Sequence, residues 1–294
     1  MPSTGALPGF RDFYPTECAE REHIFRAWRS VAQRYAFVEY DGPPLEPLEL
    51  YTKKSGDEIV DQLYAFEDKG GRKVALRPEM TPSFARMVAA RANSLRKPLR
   101  WFSIPQLFRY ERAQKGRLRE HFQLNVDIVG ESSEVADAEL IAVSVDIMRA
   151  LGLTSGDVRV RVSDRRLLWA GLDALGFDAS QRTASLVVID KLARQPRDVS
   201  VAKLLEAGIP AERAERLLTL VAARDLESFV EAAGAGEPVR AAARPMRDAL
   251  SHLAALGVAD WIDFDPTIVR GLAYYTGIVF ELFDAEGEFR AICG

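Results

Sequence analysis

The sequence has little of what marks disulfide-stabilised, zinc-binding or membrane-spanning proteins. Its two cysteines, Cys18 and Cys293, lie far apart and outside any Cys-x-x-Cys or Cys/His spacing, so neither a disulfide framework nor a zinc site is expected. No apolar run approaches the ~20 residues of a membrane span, and no signal-peptide pattern opens the chain. These absences predict a cytoplasmic protein with no membrane association and no protein-bound metal.

Two common nucleotide-binding motifs are also missing. The chain contains neither GxxxxGK[ST] nor GxGxxG, which excludes P-loop and Rossmann sites. A formal charge of −4 and a pI near 5.6 do not indicate non-specific nucleic-acid binding, because that requires clustered positive charge. The average hides a local excess, since ten basic residues and one acidic residue lie between Arg86 and Arg119.

Hydrophobic periodicity in the first half of the chain predicts alternating helices and hairpins. Thr81 is expected to cap a helix that has Pro82 at its first position. Two aromatic strands joined by a basic loop are expected to follow. The predicted elements are a helix at 18–35, a strand at 37–40, a hairpin of 63–67 and 73–76, a helix at 83–92, and strands at 101–110 and 121–129.

The second half predicts a helix-rich segment between further strands. A helix is expected at 133–151, a strand at 158–162, several short helices from 167 to about 256, and strands at 277–283 and 289–292. Hairpins without strict βαβ alternation favour an α+β fold, an antiparallel sheet flanked by helices with an inserted helical subdomain. The predicted division is a core of 1–166, a helical insertion of 167–256 and a continuation of the core at 257–294.

The densest charge pattern is the run FRYERAQKGRLRE from Phe108 to Glu120. Because strand side chains alternate between two faces, Arg109 and Glu111 are expected on the same face. An arginine fork matches phosphate oxygens, and a nearby carboxylate can receive an amino group or help to hold a metal. The alternative is a solvated, salt-bridged loop, since charge runs are mostly exposed.

Two shorter blocks carry further candidates. In LRPEMT, Glu79 stands at a strand-to-helix junction, where it can bind an ammonium group or simply complement the helix N-terminus at ~0.3 to 1 kcal/mol. In VRGLAYYTG, a turn of small residues carries Arg270, Tyr274 and Tyr275. Ordinary strand packing is the alternative for the two tyrosines.

The run from Leu107 to Gln123, together with Asp127 and Gly130, resembles motif 2 of class II aminoacyl-tRNA synthetases in the version of the histidyl-tRNA synthetase family. By this resemblance Arg109 contacts the ATP α-phosphate and the histidine carboxylate. Glu111 is implied to receive the adenine amino group, Arg117 to bind the outer phosphates, and Gln123 to reach the bound amino acid.

The block from Leu76 to Thr81 resembles the same family, which implies that Glu79, Thr81 and Gln123 hold the α-amino group of histidine. The block from Val269 to Gly277 resembles the first of the family's two histidine-specific signatures. The family often has Asp at the position of Ala273.

By the same resemblance Arg270 faces the α-phosphate as its charge develops, which makes Arg109 and Arg270 the implied catalytic residues. Tyr274 and Tyr275 are implied to contact histidine, Tyr275 and Asp127 at the imidazole ring. Many members have Glu at the position of Asp127, so a compensating shift or a water molecule is required here.

The resemblance implies that ATP and histidine form histidyl-adenylate, with Mg²⁺ bound mainly through ATP, and that the histidyl group passes to tRNA(His). The helix before Phe37, together with Pro44, resembles motif 1 and implies a homodimer. The final residues, from Arg290 to Gly294, resemble a strand that enters the second histidine block. The chain is therefore expected to stop before motif 3 and to be incomplete for full activity.

Two other functions stay open. A non-aminoacylating paralogue, the regulatory subunit of ATP phosphoribosyltransferase in histidine biosynthesis, keeps the fold and binds histidine. A synthetase for another amino acid is the third possibility. The α-phosphate and adenine contacts implied for Arg109, Glu111, Arg117 and Arg270 favour the histidine enzyme, because a histidine sensor has no use for them.

Overall fold

The computed structural model describes residues 5–53, 60–111, 118–192, 195–269, 276–287 and 291–294. The chain divides into two compact units, Met1–Glu131 and Ser132–Gly294. Each unit contains its own helices and strands, in agreement with the predicted α+β class. The finer division into a core interrupted by a helical insertion stays a prediction.

The first unit is built on short strands and three helices within its described residues. Its elements are α1 (Pro15–Arg34), β1 (Val38–Glu39), β2 (Leu45–Pro47), α2 (Glu49–Thr52), β3 (Ala65–Glu67), β4 (Lys73–Leu76), α3 (Thr81–Ala90), β5 (Leu99–Ser103), β6 (Gln106–Phe108), β7 (Glu120–Phe122) and β8 (Asn125–Val129). The strands form three sheets, in the orders β1-β5-β8, β2-β4-β3 and β6-β7. Only β1 and β5 pair in parallel among these described strands.

The two long aromatic strands expected from the sequence are each broken in the middle. Residues 101–110 divide into β5 and β6, and residues 121–129 divide into β7 and β8. The breaks face each other, because the Gln123 amide donates to the Pro105 carbonyl at 3.2 Å. Proline has no N–H to donate to a ladder, so the hairpin bends there and its outer half forms a separate two-stranded sheet.

The expected capping role of Thr81 is wrong. Helix α3 begins at Thr81 itself, and Met80 is the N-cap residue with no side-chain capping bond. Met80 already has helical backbone angles of φ −92° and ψ −25°, whereas a capping threonine needs an extended conformation. Pro82 is the second residue of the helix rather than the first, and its missing N–H still costs nothing in the first turn.

The second unit packs helices around a three-stranded sheet. Its elements are α4 (Glu134–Ala150), β9 (Val158–Asp164), α5 (Arg165–Ala174), α6 (Ala179–Ile189), α7 (Arg197–Glu206), α8 (Ala211–Val221), α9 (Leu226–Ala232), α10 (Glu237–Ala255), β10 (Ile262–Phe264) and β11 (Ile278–Asp284). The sheet order is β10-β9-β11, with β10 parallel and β11 antiparallel to β9. The helical character expected between 167 and 256 is confirmed.

Three helices of the second unit start at an aspartate cap. The side chains of Asp164, Asp178 and Asp225 accept backbone N–H bonds at the starts of α5, α6 and α9, and such caps stabilise a helix by about 1 kcal/mol. None of the helices described above combines the length and apolarity that a membrane crossing requires.

Candidate functional site

The loop after β4 is bonded directly to the hairpin that carries the charged run. Arg77 Nε donates to the Gln106 carbonyl at 3.0 Å, and the Phe108 amide donates back to the Arg77 carbonyl at 3.0 Å. Arg109 Nε donates to the Pro78 carbonyl at 2.9 Å. Two blocks that lie about thirty residues apart in sequence, and that were singled out separately, therefore belong to one site.

Arg77 stabilises the loop of this site and was not among the residues predicted from the sequence. Its side chain is buried, and one terminal nitrogen donates to Asp41 Oδ1 at 2.8 Å and to the Gly42 carbonyl at 2.7 Å. A buried guanidinium is tolerated only when its donors are satisfied. The only signal in the sequence was an arginine between an apolar strand and a proline.

Glu79 lies in the loop between β4 and α3, and its side chain is only 8% exposed. It precedes the first residue of α3 by two positions, so the carboxylate also lies near the positive end of that helix. Charge attraction is stronger where water is excluded. A buried carboxylate at this position therefore suits a cationic ligand group such as an ammonium.

The hairpin continues beyond its strands for one more bonded pair. The Arg109 amide donates to the Arg119 carbonyl at 2.9 Å, and the Glu111 amide donates to the Arg109 carbonyl at 2.8 Å. The strand ends at Phe108, so the alternation that predicted a shared face for Arg109 and Glu111 does not extend to them. Glu111 is half-buried.

Arg119 contacts the two residues that follow Arg109. Its guanidinium lies 4.1 Å from the centre of the Tyr110 ring, and its Nε donates to the Glu111 carbonyl at 3.2 Å. Its backbone amide donates to the Gly9 carbonyl at 2.9 Å. A Cβ at Gly9 would lie 2.7 Å from Arg119 Cγ, and the φ of +88° there also requires glycine.

The base of the hairpin contains a second buried charge. Glu120 is 2% exposed and accepts hydrogen bonds from Arg11 Nε, at 3.2 Å, and from the Gln106 side chain. Its neighbour His121 is half-buried, and burial, reinforced by the positive charge of Arg109, lowers its pKa to about 4. His121 is therefore neutral at pH 7 and adds no charge to the site.

Asp127 and Gln123 lie further along the hairpin, at and after its bend. Asp127 lies in β8 opposite Trp101, and burial raises its pKa to about 6. Gln123 lies at the bend between β7 and β8, with an exposed side chain. Thr81 is also exposed, at the start of α3.

The remaining site candidates, Arg117, Arg270, Tyr274 and Tyr275, lie outside the described residues. The turn that leads towards Arg270 is described. Asp265, which is 6% exposed, accepts bonds from the amide and hydroxyl of Thr267 at 3.0 and 2.6 Å. Within the described ranges, no three His, Cys, Asp or Glu side chains form a group suited to a metal ion.

Solved structures with the same architecture establish the class of fold. The chain matches a histidyl-tRNA synthetase from Nostoc sp. PCC 7120 with a TM-score of 0.85 and 23% identity, over 98% of this chain and 66% of that one. It matches an ATP phosphoribosyltransferase regulatory subunit/histidyl-tRNA synthetase from Bacillus halodurans with a TM-score of 0.83 and 23% identity, over 99% and 75%. The fold is that of a class II aminoacyl-tRNA synthetase.

The sequence comparisons then identify the family. A family model described as "Histidyl-tRNA synthetase" matches residues 9–292, and the chain belongs to that family. Relatives named histidine–tRNA ligase are 48% identical in Opitutus terrae, over 100% of this chain and 68% of the relative, and 43% identical in Haloarcula marismortui, over 98% and 67%. The chloroplastic/mitochondrial enzyme of Arabidopsis thaliana is 42% identical, over 97% and 58%.

Two further facts follow from these matches. The chain spans 58 to 68% of the length of these relatives. The family match also runs through the helical segment between 167 and 256.

Proposed function

We propose that this chain is the catalytic part of a histidine–tRNA ligase, which activates histidine with ATP and transfers the histidyl group to tRNA(His). The observation that carries the proposal is the bonding of the Glu79 loop to the Arg109 hairpin. This bonding brings a segment suited to an amino-acid ammonium group against a segment suited to phosphate. The relatives named histidine–tRNA ligase support the choice of amino acid.

The histidine substrate is held at both ends. Glu79, Thr81 and Gln123 bind the α-amino group, and the burial of Glu79 strengthens its attraction to an ammonium ion. Asp127, with Tyr274 and Tyr275, binds the side chain. A carboxylate that accepts the imidazole N–H distinguishes this ring from apolar side chains, which would leave the carboxylate unpaired.

ATP lies along the hairpin in this proposal. Glu111 receives the adenine amino group, and Arg117 binds the outer phosphates. Arg109 and Arg270 bind the α-phosphate, where negative charge develops. Planar guanidinium groups suit such a role, because they bind two oxygens at once and stay protonated.

The chemistry then consists of two transfers. A carboxylate oxygen of histidine forms a bond to the α-phosphorus as the bond to the bridging oxygen breaks, and pyrophosphate leaves. A terminal ribose hydroxyl of tRNA next attacks the acyl carbon of histidyl-adenylate, and AMP leaves. Positioning and fixed positive charge account for most of such catalysis. Mg²⁺ held through ATP oxygens would neutralise charge on the departing pyrophosphate.

A homodimer and a cytoplasmic location complete the proposal. Both come from the sequence, the dimer from the segment of α1 and Pro44 that resembles motif 1. Sedimentation of the complete protein at two concentrations tests the dimer. The expected mass is about twice that of one chain.

The test of function is ATP–pyrophosphate exchange by the complete protein with each amino acid in turn. Histidine alone is expected to support exchange, and Arg270→Ala is expected to slow it at least ~10²-fold, the scale of losing one charge-stabilising donor. Near-normal exchange by that variant contradicts the assigned role. Histidine binding without exchange in the wild type would instead support the regulatory-subunit alternative.

A further inference from the structure

Three polar residues lie side by side at one end of the β1-β5-β8 sheet. Ser103, the last residue of β5, pairs with Asn125, the first residue of β8. The Tyr40 amide donates to the Phe102 carbonyl at 2.9 Å, which extends the parallel β1–β5 ladder by one residue and places Tyr40 next to Ser103. Tyr40, Ser103 and Asn125 are named the polar row.

Each member of the polar row has a buried oxygen without a hydrogen-bond partner among the described residues. These oxygens are Tyr40 Oη, Ser103 Oγ and Asn125 Oδ1. Ser103 is 0% exposed. A buried polar atom left unpaired costs about 1 to 3 kcal/mol, so three of them across adjacent strands indicate a bound group that satisfies them.

The polar row lies on the same face of the sheet as Asp127. Side chains two residues apart on a strand share a face, so Asn125 and Asp127 point to one side of β8. Trp101, which pairs with Asp127, shares that face with Ser103 in β5. Phe102, which lies between Trp101 and Ser103 in β5, is fully buried on the opposite face. The three unpaired oxygens all belong to residues on the face of Asp127.

Helix α3 packs against the polar row through Phe84. The Phe84 ring lies 5.3 Å from the Tyr40 ring and 6.2 Å from the Trp101 ring. The negative charge of Asp127 also contributes to a raised pKa of Tyr40, behind burial as the main cause, so the hydroxyl stays protonated and can donate. A neutral hydroxyl near a carboxylate provides a donor for a group placed between them.

We propose that the polar row binds an ordered water molecule that donates a hydrogen bond to the Asp127 carboxylate and so holds this carboxylate in place for the imidazole N–H of histidine. The water accepts from the Tyr40 and Ser103 hydroxyls and donates to Asn125 Oδ1 and to Asp127, and these four bonds are the most that a buried water makes. The inference rests on the proposed function, and it makes Tyr40, Ser103 and Asn125 positioning residues for specificity.

The first experiment deletes one hydroxyl at a time in the complete protein and measures exchange kinetics. Ser103→Ala and Tyr40→Phe are each expected to raise the KM for histidine about 3- to 10-fold, the value of one hydrogen bond. The kcat and the KM for ATP are expected to stay unchanged. Ser185→Ala is the matched control, because this fully buried hydroxyl donates to the Gln181 carbonyl of its own helix at 2.8 Å.

Two variant combinations separate a shared water from independent effects. The double variant Tyr40→Phe/Ser103→Ala is expected to raise the histidine KM by little more than the larger single change, because both hydroxyls hold the same water. Asp127→Glu lengthens the carboxylate by one methylene, into the place of the water. In that background Ser103→Ala is expected to have no effect on the histidine KM. The proposal is contradicted if the two single increases in histidine KM multiply in the double variant. It is also contradicted if Ser103→Ala raises the histidine KM as much with Glu at position 127 as with Asp.

Thermal melting tests the water without any activity measurement. If water satisfies the row, Ser103→Ala removes a bonded hydroxyl and the Tm falls or stays level. If no water is bound to the polar row, the same change removes an unpaired oxygen and the Tm rises, which overturns the inference. A wild type without histidine-dependent exchange contradicts the proposed function instead, and the melting experiment then still tests the water site.

Discussion

Three arginines of the hairpin site and three arginines of the helical segment make different kinds of contact. In the site, these guanidinium groups donate to main-chain carbonyls, Arg77 to Gln106 and Gly42, Arg109 to Pro78, and Arg119 to Glu111. In the helical segment, three exposed guanidinium groups pair with exposed carboxylates, Arg197 with Glu215, Arg244 with Glu237, and Arg247 with Glu227.

The difference separates residues that set the geometry of the site from residues that cover a surface. A bond to a loop carbonyl restrains the backbone, so its loss moves the neighbouring residues as well. An exposed ion pair is screened by water and salt and typically contributes between 0 and about 1 kcal/mol. Substitutions in the site are therefore expected to have much larger effects than substitutions on the helices.

The largest effect is expected from Glu79→Gln. Loss of this buried charge should lower kcat/KM for histidine about 10²- to 10³-fold, since an ammonium group would lose its buried partner. Steady-state ATP–pyrophosphate exchange measures it, with Glu227→Gln as the control for an exposed carboxylate. Equal kinetics in the two variants would remove Glu79 from the site.

Arg77→Met tests whether the loop depends on its buried arginine. The change preserves much of the length but leaves the carbonyls of Gln106 and Gly42 without this donor, so the free energy of unfolding should fall by about 3 kcal/mol. Chemical denaturation followed by circular dichroism measures this change. A stability loss under about 1 kcal/mol would show that the backbone bonds alone hold the loop.

Asp127→Asn should increase stability while it weakens histidine binding. Burial raises the pKa of Asp127 to about 6 from 3.8, so the folded state keeps a proton that the unfolded state loses between these values. The stabilising contribution of the wild-type carboxyl is present below about pH 4 and is lost as the pH rises through about 6.

The variant has no such titration. At pH 7 it should be more stable than the wild type by about 1 to 3 kcal/mol, and the difference should vanish towards pH 4. Melting curves across this pH range measure the difference. A constant stability difference at all pH values would contradict the raised pKa.

The smallest effect is expected from Arg247→Ala. Its partner Glu227 is exposed, so the free energy of unfolding should change by less than about 1 kcal/mol. Exchange kinetics should match those of the wild type. A loss of activity comparable to that of Glu79→Gln would abolish the distinction between the two sets of charges.

Local patterns were sufficient to predict most of the described helices and strands. The helices α1 and α4 and the hairpin of β3 and β4 follow from periodicity and turn residues, which act over short distances. The broken hairpin was missed because the aromatic alternation on both sides of Pro105 outweighed the missing N–H of a single residue.

The role of Arg77 could not be predicted for a different reason. Its partners Asp41 and Gln106 lie 36 and 29 residues away along the chain. No local pattern encodes which carbonyls will converge on a buried guanidinium. The polar row was missed for the same reason, because its members come from three strands that become neighbours only in the folded sheet.

The proposed function is tested most directly by comparing wild type and Arg109→Ala in histidine-dependent ATP–pyrophosphate exchange by the complete protein. Histidine is expected to support exchange in the wild type, and the rate is expected to be at least about 10²-fold lower in the variant, because Arg109 is assigned to the α-phosphate. Exchange by Arg109→Ala at the wild-type rate would contradict this assignment.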